Sequence, residues 1–585
     1  MSTAPPPPRL PARGPAARRV RTALAALASA AVLAVATACA GPPRGGGDGV
    51  GASFALSAGT PKARGEIDSF SWALYAEPPT LDYTVAFDYP QNTILSNVCE
   101  SLMRWTPGLT LEPGLARRAT NPDPLTWVYD LRDGVRFHDG RTMTAADAVF
   151  SLERQRDPGN AAAWAQNFQN VASIRATGPL QVTVTLTKPD SQFNQYMATA
   201  AGVVASAAGI KAAGEDYGTS GGLACTGPFT LGEWKKGQSL ELDRFDDYRG
   251  TAKAKAGAKA QAVAQAGAQA GAKAKKVVFR FLTDPSARTN ALLSGEVDGG
   301  YLIPTESYGR LKNSGVGTLY FGEGLSTVNL GITNMKGPLG DVRVRRALSL
   351  ALDRTGFVTA GLGGAGAATG SLTTRAAWAG ASPEVRKTAF AGLTPAPDRD
   401  LAKARELVKE AGVGGRTITV ATSAIGQDVS LLATAVQAAG TQIGLRIDLK
   451  SVAPNAFTAL FTDPEAREGI DAFPLTYYDS ITDPLDFLTN FRTGAYLNFA
   501  GFSDKRYDAL VEQATASYDT EQRLRIASEL QRMAADQLPW IPVAEWPTAL
   551  FLNKRITGAP TTIAYMYYPW AADIGAAPAA EGSTP

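Results

Sequence analysis

The stretch Trp127–Arg154, WVYDLRDGVRFHDGRTMTAADAVFSLER, decides the reading of this chain. Trp127, Tyr129 and Leu131 alternate with polar neighbours, the period-two pattern of a half-buried strand. Asp133-Gly134 supplies a turn that needs positive φ. Val135-Arg136-Phe137 is then expected to return as a second strand, broken by His138-Asp139-Gly140. Thr144, followed three residues later by Asp147, has the form of a capping box. Behind it Ala145, Ala148, Val149 and Leu152 recur at helical spacing, so a helix is predicted from Thr144 onward.

The same alternation of strand and helix runs outward in both directions. Gln181–Thr187 and Leu240–Phe245 alternate as strands with one wet face, and Lys276–Leu282 is more continuously apolar, as a buried strand would be. Ala287–Leu293 has helical composition and ends at Gly295. Asp341 is placed to cap a helix burying Val344, Ala347, Leu348, Ala351 and Leu352. Leu401–Ala411 and Ser430–Ile443 repeat the helical period, the second leading into a strand at Leu445–Lys450, and Glu521–Gln537 reads as a long amphipathic helix. This alternation predicts an α/β body. At 585 residues the chain exceeds what one core serves, so at least two lobes are expected.

The formal net charge is +3, but Arg9, Arg13, Arg18, Arg19 and Arg21 lie before the expected cleavage site with no acid among them, which leaves the mature chain at −2. Six lysines in the low-complexity stretch 251–276, namely Lys253, Lys255, Lys259, Lys273, Lys275 and Lys276, bring the rest of the body to −8 once set aside. Such a body lacks the concentrated basic face that nucleic acid requires, so no nucleic-acid partner is expected. The basic N-terminus runs into the apolar segment Thr22–Ala38, too short to span a bilayer, and reads as a secretory signal. Arg18-Arg19 hints at twin-arginine export, but the residues after it do not fit. Ala36-Thr37-Ala38-Cys39 resembles a bacterial lipobox, which makes Cys39 the expected lipidation site. Residues 40 to 65, rich in Gly, Pro, Ala and Ser, suit a tether. The 251–276 stretch is read as a flexible insertion between two strands, with a helical excursion or a basic arm as alternatives.

The Trp127–Arg154 unit resembles the signature region of the family 5 extracellular solute-binding proteins, the peptide-type receptors of ABC importers. Further segments carry the resemblance in family order. Glu77-Pro-Pro-Thr-Leu-Asp82 is similar to the family's opening loop and Val98–Arg104 to its first helix. Thr226-Gly-Pro-Phe229 with Trp234, Ala291–Asp298 and Asp341–Leu348 match later family segments. The resemblance implies a type II periplasmic-binding-protein-like α/β fold: two lobes with a cleft, plus an extra subdomain in the first lobe. The implied organisation is signal peptide 1–38, lipid-attached tether 39–65, first lobe 66–322 carrying the insertion 251–276, second lobe 323–540, a return segment of the first lobe 541–572, and a disordered tail 573–585. Hinge closure between such lobes needs paired crossings, placed near Phe321–Leu330 outward and Trp540–Trp546 on return.

Chemistry is sparse by comparison. The single histidine, His138, has no nucleophile aimed at it in the sequence and reads as a turn or packing residue, so no catalytic set is expected. Once Cys39 is assigned to the anchor, too few soft ligands remain for a zinc site, and no phosphate loop is present; neither metal nor cofactor is expected. Cys99 and Cys225 each fall in a family segment and either pair outside the cytoplasm or stay as buried thiols. The resemblance implies a cleft lined by Trp164, Tyr477, Tyr478 and Asp479, in which Asp479 pairs with the α-amino group of a bound peptide, because an ammonium taken out of water needs a carboxylate. The alternatives are that Asp479 caps a loop, that Tyr477 and Tyr478 are strand-end core residues, and that Trp164 simply packs. Ala76 and Glu77 in the opening loop are expected to meet the solute through backbone groups, or Glu77 to be a solvated acid. The implied function is a monomeric extracytoplasmic lipoprotein that captures oligopeptides for an ABC permease with cytoplasmic ATPases. Nickel chelates, haem, sugars or opines are the alternative solutes. A peptide-sensing lipoprotein is the rival from another class, and an extracellular hydrolase is disfavoured by the lack of a histidine-based triad.

Overall fold

The computed structural model describes residues 55–248, 271–394 and 396–578. The signal segment, Cys39, most of the low-complexity insertion and residues 579–585 lie outside the described residues.

Among the described residues one sheet runs through both lobes. Its order is Arg446–Ser451, Thr417–Thr422, Ala472–Tyr478, Gly317–Ile332, Trp540–Asn553, Gly299–Tyr301, Ile67–Leu74, Ala274–Phe281, Ser239–Arg244, Phe229–Lys235, with Ala367–Ala368 added beside Trp540–Asn553. The two central strands are the long ones, at 16 and 14 residues, and they run antiparallel. Their first and last thirds pair with different neighbours. Ser326–Ile332 pairs with Ala472–Tyr478 in the second lobe, while Gly299–Tyr301 of the first lobe pairs with Leu550–Leu552 of the return strand. These strands are the two crossings, and the expected outward and return segments fall within them. A separate four-stranded antiparallel sheet, Ala116–Asp123, Thr126–Leu131, Gln181–Leu186 and Val171–Gly178, forms the extra subdomain.

Between the lobes the ladder is irregular: Gly322 pairs with Thr548 and Ser326 with Trp546, so Glu323, Gly324 and Leu325 stand against Pro547 alone. Proline donates no ladder hydrogen bond, and a three-against-one bulge lets the strand bend and twist here. A Cβ on Gly324 would lie 2.4 Å from the Trp546 carbonyl oxygen. Gly324→Ala is therefore expected to destabilise by about 1–3 kcal/mol through backbone overpacking, whereas Gly309→Ala, where a Cβ meets nothing within 4 Å, should not; denaturant midpoints of the two variants check this.

One face of the second lobe has a core of its own, whereas the other face shares a continuous cluster with first-lobe residues such as Trp72 and Phe193. The second-lobe strands bury Val328, Leu330 and Ile332 against Val344, Leu348 and Val436 on one face. Phe473, Leu475 and Trp540 belong to the large cluster that also holds Leu524 and Leu530. The first lobe is closed by residues after the return strand: Trp570 packs at 4.4 Å on Trp72, and Tyr565 stacks at 3.7 Å on Tyr301.

The deciding stretch folds as a strand at Thr126–Leu131 and a helix at Ala145–Glu153, with Asp147 accepting from both the N–H and the hydroxyl of Thr144. Four expectations need correction. Val135–Phe137 is not a strand; only Arg136 bridges to Thr142, because positive φ at Gly134 and Gly140 turns the chain within six residues, too tightly for a ladder. Val98–Arg104 is not the first helix: that helix is Tyr89–Val98, begun by Pro90 and ended at Cys99, whose backbone is extended. The insertion ends earlier than residue 276, since the strand starts at Ala274, with Lys275 paired to Asp68 and Lys276 to Glu241 and Asp243. Residues 55–65 and 573–578 are not tether and tail. Backbone donors tie them to the first lobe, Ser57 N–H to Phe321 at 2.9 Å, Thr60 N–H to Ala559 at 2.9 Å and Arg64 N–H to Ala576 at 3.0 Å, because small residues let main chain approach main chain.

Candidate functional site

The strand Ala472–Tyr478 delivers a short acidic loop to the place where the lobes meet. Asp479 continues the ladder, its N–H donating to Leu325 at 2.9 Å. The carboxyl is 1% exposed and neither oxygen has a hydrogen-bond partner among the described residues. Burial, reinforced by the neighbouring Asp486 and Asp483, pushes its pKa well above the usual carboxylate range. The other two acids are satisfied. Asp483 accepts from Arg523 Nε at 2.9 Å and from Gln195 Nε2 at 3.2 Å. Asp486 accepts from the Tyr196 hydroxyl at 2.7 Å and the Ser480 N–H at 2.6 Å. Of three carboxyls within eight residues, one has a guanidinium, one has neutral donors only, and Asp479 has no hydrogen-bond partner among the described residues.

The remaining expected residues distribute unevenly around Asp479. Tyr478 crosses to the first lobe, its hydroxyl donating to the Phe87 carbonyl and its ring 5.0 Å from Tyr89. Tyr477 points the other way, edge-on to Phe487 at 4.9 Å and to Trp540 at 6.0 Å, as the core-packing reading has it. Trp164 is buried, donates to the Ala86 carbonyl at 3.0 Å and lies between Tyr196 and Tyr567, with ring distances of 6.5 and 6.4 Å. Ala76 is half-buried just after the first strand. The Glu77 side chain is half-buried and tied down: its oxygens accept from Trp234 Nε1 at 2.8 Å and from Gly237 N–H at 2.9 Å, pinning the opening loop to the Phe229–Arg244 hairpin. Tyr196, Gln195 and Arg523 escaped sequence reading. Nothing local marks Tyr196 and Gln195, whose partners lie 290 and 288 residues away. Arg523 sits on the buried side of the Thr520–Gln537 helix, a placement that helical periodicity could have flagged.

His138 is half-buried beside Phe245, with Nε2 3.0 Å from the Gly227 carbonyl oxygen. Cys99 and Cys225 form a disulfide with Cα atoms 4.8 Å apart, and the Cys225 carbonyl accepts from His138 N–H at 2.8 Å. Burial holds the imidazole below its usual pKa. The unfolded chain therefore takes up the proton first, so the contribution of neutral His138 is complete above about pH 6.5 and is lost as pH falls below it. His138→Gln is expected to show a smaller loss of melting temperature between pH 7.5 and pH 5 than wild type, read by calorimetry. Among the described residues no group of three His, Cys, Asp or Glu side chains could hold a metal ion, and no helix is long and apolar enough to cross a membrane.

Two α/β lobes on a pair of long crossing strands, with an unpaired buried carboxylate where they meet, define a two-lobed solute-binding protein. The chain belongs to the bacterial extracellular solute-binding proteins, family 5, whose middle-region model matches residues 110–499. It is similar to the periplasmic murein peptide-binding protein MppA of Escherichia coli K12, 24% identical over 515 residues, covering 83% of this chain and 89% of MppA. The glutathione-binding protein GsiB of Escherichia coli O1:K1 / APEC is 25% identical over 489 residues, covering 82% of this chain and 89% of GsiB. Among solved structures, the periplasmic binding protein DppA from Helicobacter pylori, in complex with the peptide STSA, superposes with a TM-score of 0.73 at 19% identity over 88% of this chain and 99% of DppA.

Proposed function

We propose that this protein is the receptor of an ABC importer, that it captures oligopeptides by their free α-amino group, and that it is held at the outer face of the cytoplasmic membrane by a lipid on Cys39. The single observation that carries the solute assignment is Asp479, buried and without a partner for either oxygen. A carboxylate in that state is stabilised by a cation brought into the closed cleft, and an ammonium with three donors is the group that fits. Tyr478 and the backbone around Ala76 supply neighbouring contacts from the two lobes, while Trp164 and Tyr477 form packed support behind them. Peptide-type solutes are favoured by the names of MppA and GsiB and by the peptide in DppA. In this reading the protein works as a monomer with a permease and its ATPases, needs no cofactor, and does not cleave what it binds.

The test is calorimetric titration with tripeptides and their N-acetylated forms, alongside native mass spectrometry of protein purified from its host. Free-amine peptides are expected to bind at least about thirtyfold more tightly than acetylated ones, the scale for leaving a buried charge unpaired. Equal binding of the two forms, or a retained ligand without a cationic group, would overturn the assignment. For the anchor, Cys39→Ala should release the protein from washed membranes into the soluble fraction.

A further inference from the structure

We infer that Tyr196 and Asp486 form a latch across the two lobes, and that both are positioning residues which make capture of a cationic solute at Asp479 conditional on lobe closure. The inference rests on the reading that Asp479 receives the solute's ammonium.

Tyr196 ends the short helix Phe193–Tyr196 of the first lobe, whereas Asp486 lies in the second-lobe loop that follows Asp479. Their hydrogen bond, at 2.7 Å, joins residues 290 positions apart, and Gln195 beside it reaches Asp483. The segment carrying Tyr196 is seated on the second lobe from its other end as well. Ser191 N–H donates to the Thr515 carbonyl at 2.8 Å, and the Tyr518 hydroxyl takes the Asp190 N–H at 3.2 Å while reaching the Pro124 carbonyl at 3.0 Å. All of these bonds span the lobes, so all of them are lost together when the lobes part.

Their loss falls on the acidic loop. With the lobes together, Asp483 has Arg523 and Gln195, Asp486 has Tyr196 and Ser480 N–H, and only Asp479 is unpartnered. With the lobes apart, Asp486 keeps only backbone amides of its own loop, and Asp483 keeps the guanidinium and the Leu485 N–H at 3.0 Å, so each loses its one partner from the first lobe. Burial raises the pKa of Asp486, and the Tyr196 hydroxyl is the largest influence drawing it back. Tyr196 thus holds Asp486 as an anion next to Asp479, which deepens the negative potential at Asp479 in the closed state alone. A cation at Asp479 then stabilises that state over the open one, and by linkage closure strengthens the hold on the cation by the same factor. Neither latch residue touches the solute in this scheme.

A double-mutant cycle tests it. Tyr196→Phe keeps the ring and Asp486→Asn the shape, so packing is preserved in both. The dissociation constant and dissociation rate of a free-amine tripeptide are measured by stopped flow and calorimetry for wild type, both single variants, the double variant and Asp479→Asn. Each single variant is expected to weaken binding about tenfold, mainly in the dissociation rate, and the double variant no further than either single, since both remove one charge-assisted bond. Unchanged single variants, or effects that multiply in the double variant, would overturn the latch while leaving the receptor reading intact, provided wild type binds and Asp479→Asn binds about a hundredfold more weakly. A wild type that binds no free-amine peptide would instead overturn the reading on which the latch rests.

Discussion

Asp479→Asn should weaken binding of free-amine peptides about a hundredfold and erase their advantage over acetylated peptides, while making the solute-free protein more stable than wild type. The two effects have one origin. Removing the acid from a buried ion pair leaves the ammonium desolvated and uncompensated, a loss of about 2–5 kcal/mol. In the empty protein the same carboxyl has no partner, so an amide, neutral and nearly isosteric, removes a burden. The sign with pH follows from the raised pKa of Asp479. A carboxyl whose folded pKa lies above its unfolded value of about 3.9 contributes fully at lower pH, and that contribution is lost as pH rises toward the folded pKa. The gain in melting temperature from Asp479→Asn should therefore widen from pH 4 toward neutrality. Capture of an ammonium returns Asp479 to its ionised form, so wild type should expel a proton on binding, seen as buffer-dependent heat in calorimetry, and Asp479→Asn should not. A variant that binds as tightly as wild type and shows the same buffer dependence would place the ammonium elsewhere.

What the sequence makes legible is what local periodicity controls. The helix Leu401–Ala411 coincides with its expected span, and the strand at Gln181 and the long helix ending at Gln537 lie within a residue of theirs, because each is amphipathic over its own length. The crossings were legible for another reason: a strand that must leave one lobe and return needs two such runs, and Gly317–Ile332 and Trp540–Asn553 are the long ones. Errors gather where long-range contacts override the local pattern. The sequence carries a helix past Cys99, but the helix ends there, with Ser101 and Leu102 drawn into main-chain bridges with Val203 and Gly202. Glu77, outwardly a loop acid, is taken by two donors from a hairpin about 160 residues on. The acidic loop itself was visible as Asp479, Asp483 and Asp486. Which of the three lacks a partner was not, because Arg523, Gln195 and Tyr196 are supplied by other parts of the fold.

Removing the disulfide is expected to have the largest effect on stability. Cys99 and Cys225 are 126 residues apart, and a cross-link closing a loop of that size contributes about 4–5 kcal/mol in the chain-entropy account. The bond also lies under a dense junction. Gly227 N–H donates to the Val98 carbonyl at 2.8 Å, and a Cβ on Gly227 would come within 2.5 Å of that oxygen, so the Thr226-Gly227-Pro228 segment and the end of the Tyr89–Val98 helix touch through backbone. The other end of this helix carries Tyr89, which meets Tyr478 beside Asp479. Cys99→Ser with Cys225→Ser is thus expected to lower the denaturation midpoint strongly, and reduction of the wild type should reproduce the shift. Solute affinity should fall far less, because the junction keeps its backbone hydrogen bonds and the site groups stay on their own strands and helices. If the serine pair and the reduced wild type unfold at the midpoint of the oxidised protein, the cross-link contributes nothing and the backbone junction alone holds the helix. If affinity falls as far as it does in Asp479→Asn, the disulfide is setting the first-lobe half of the solute site and not only limiting the unfolded chain.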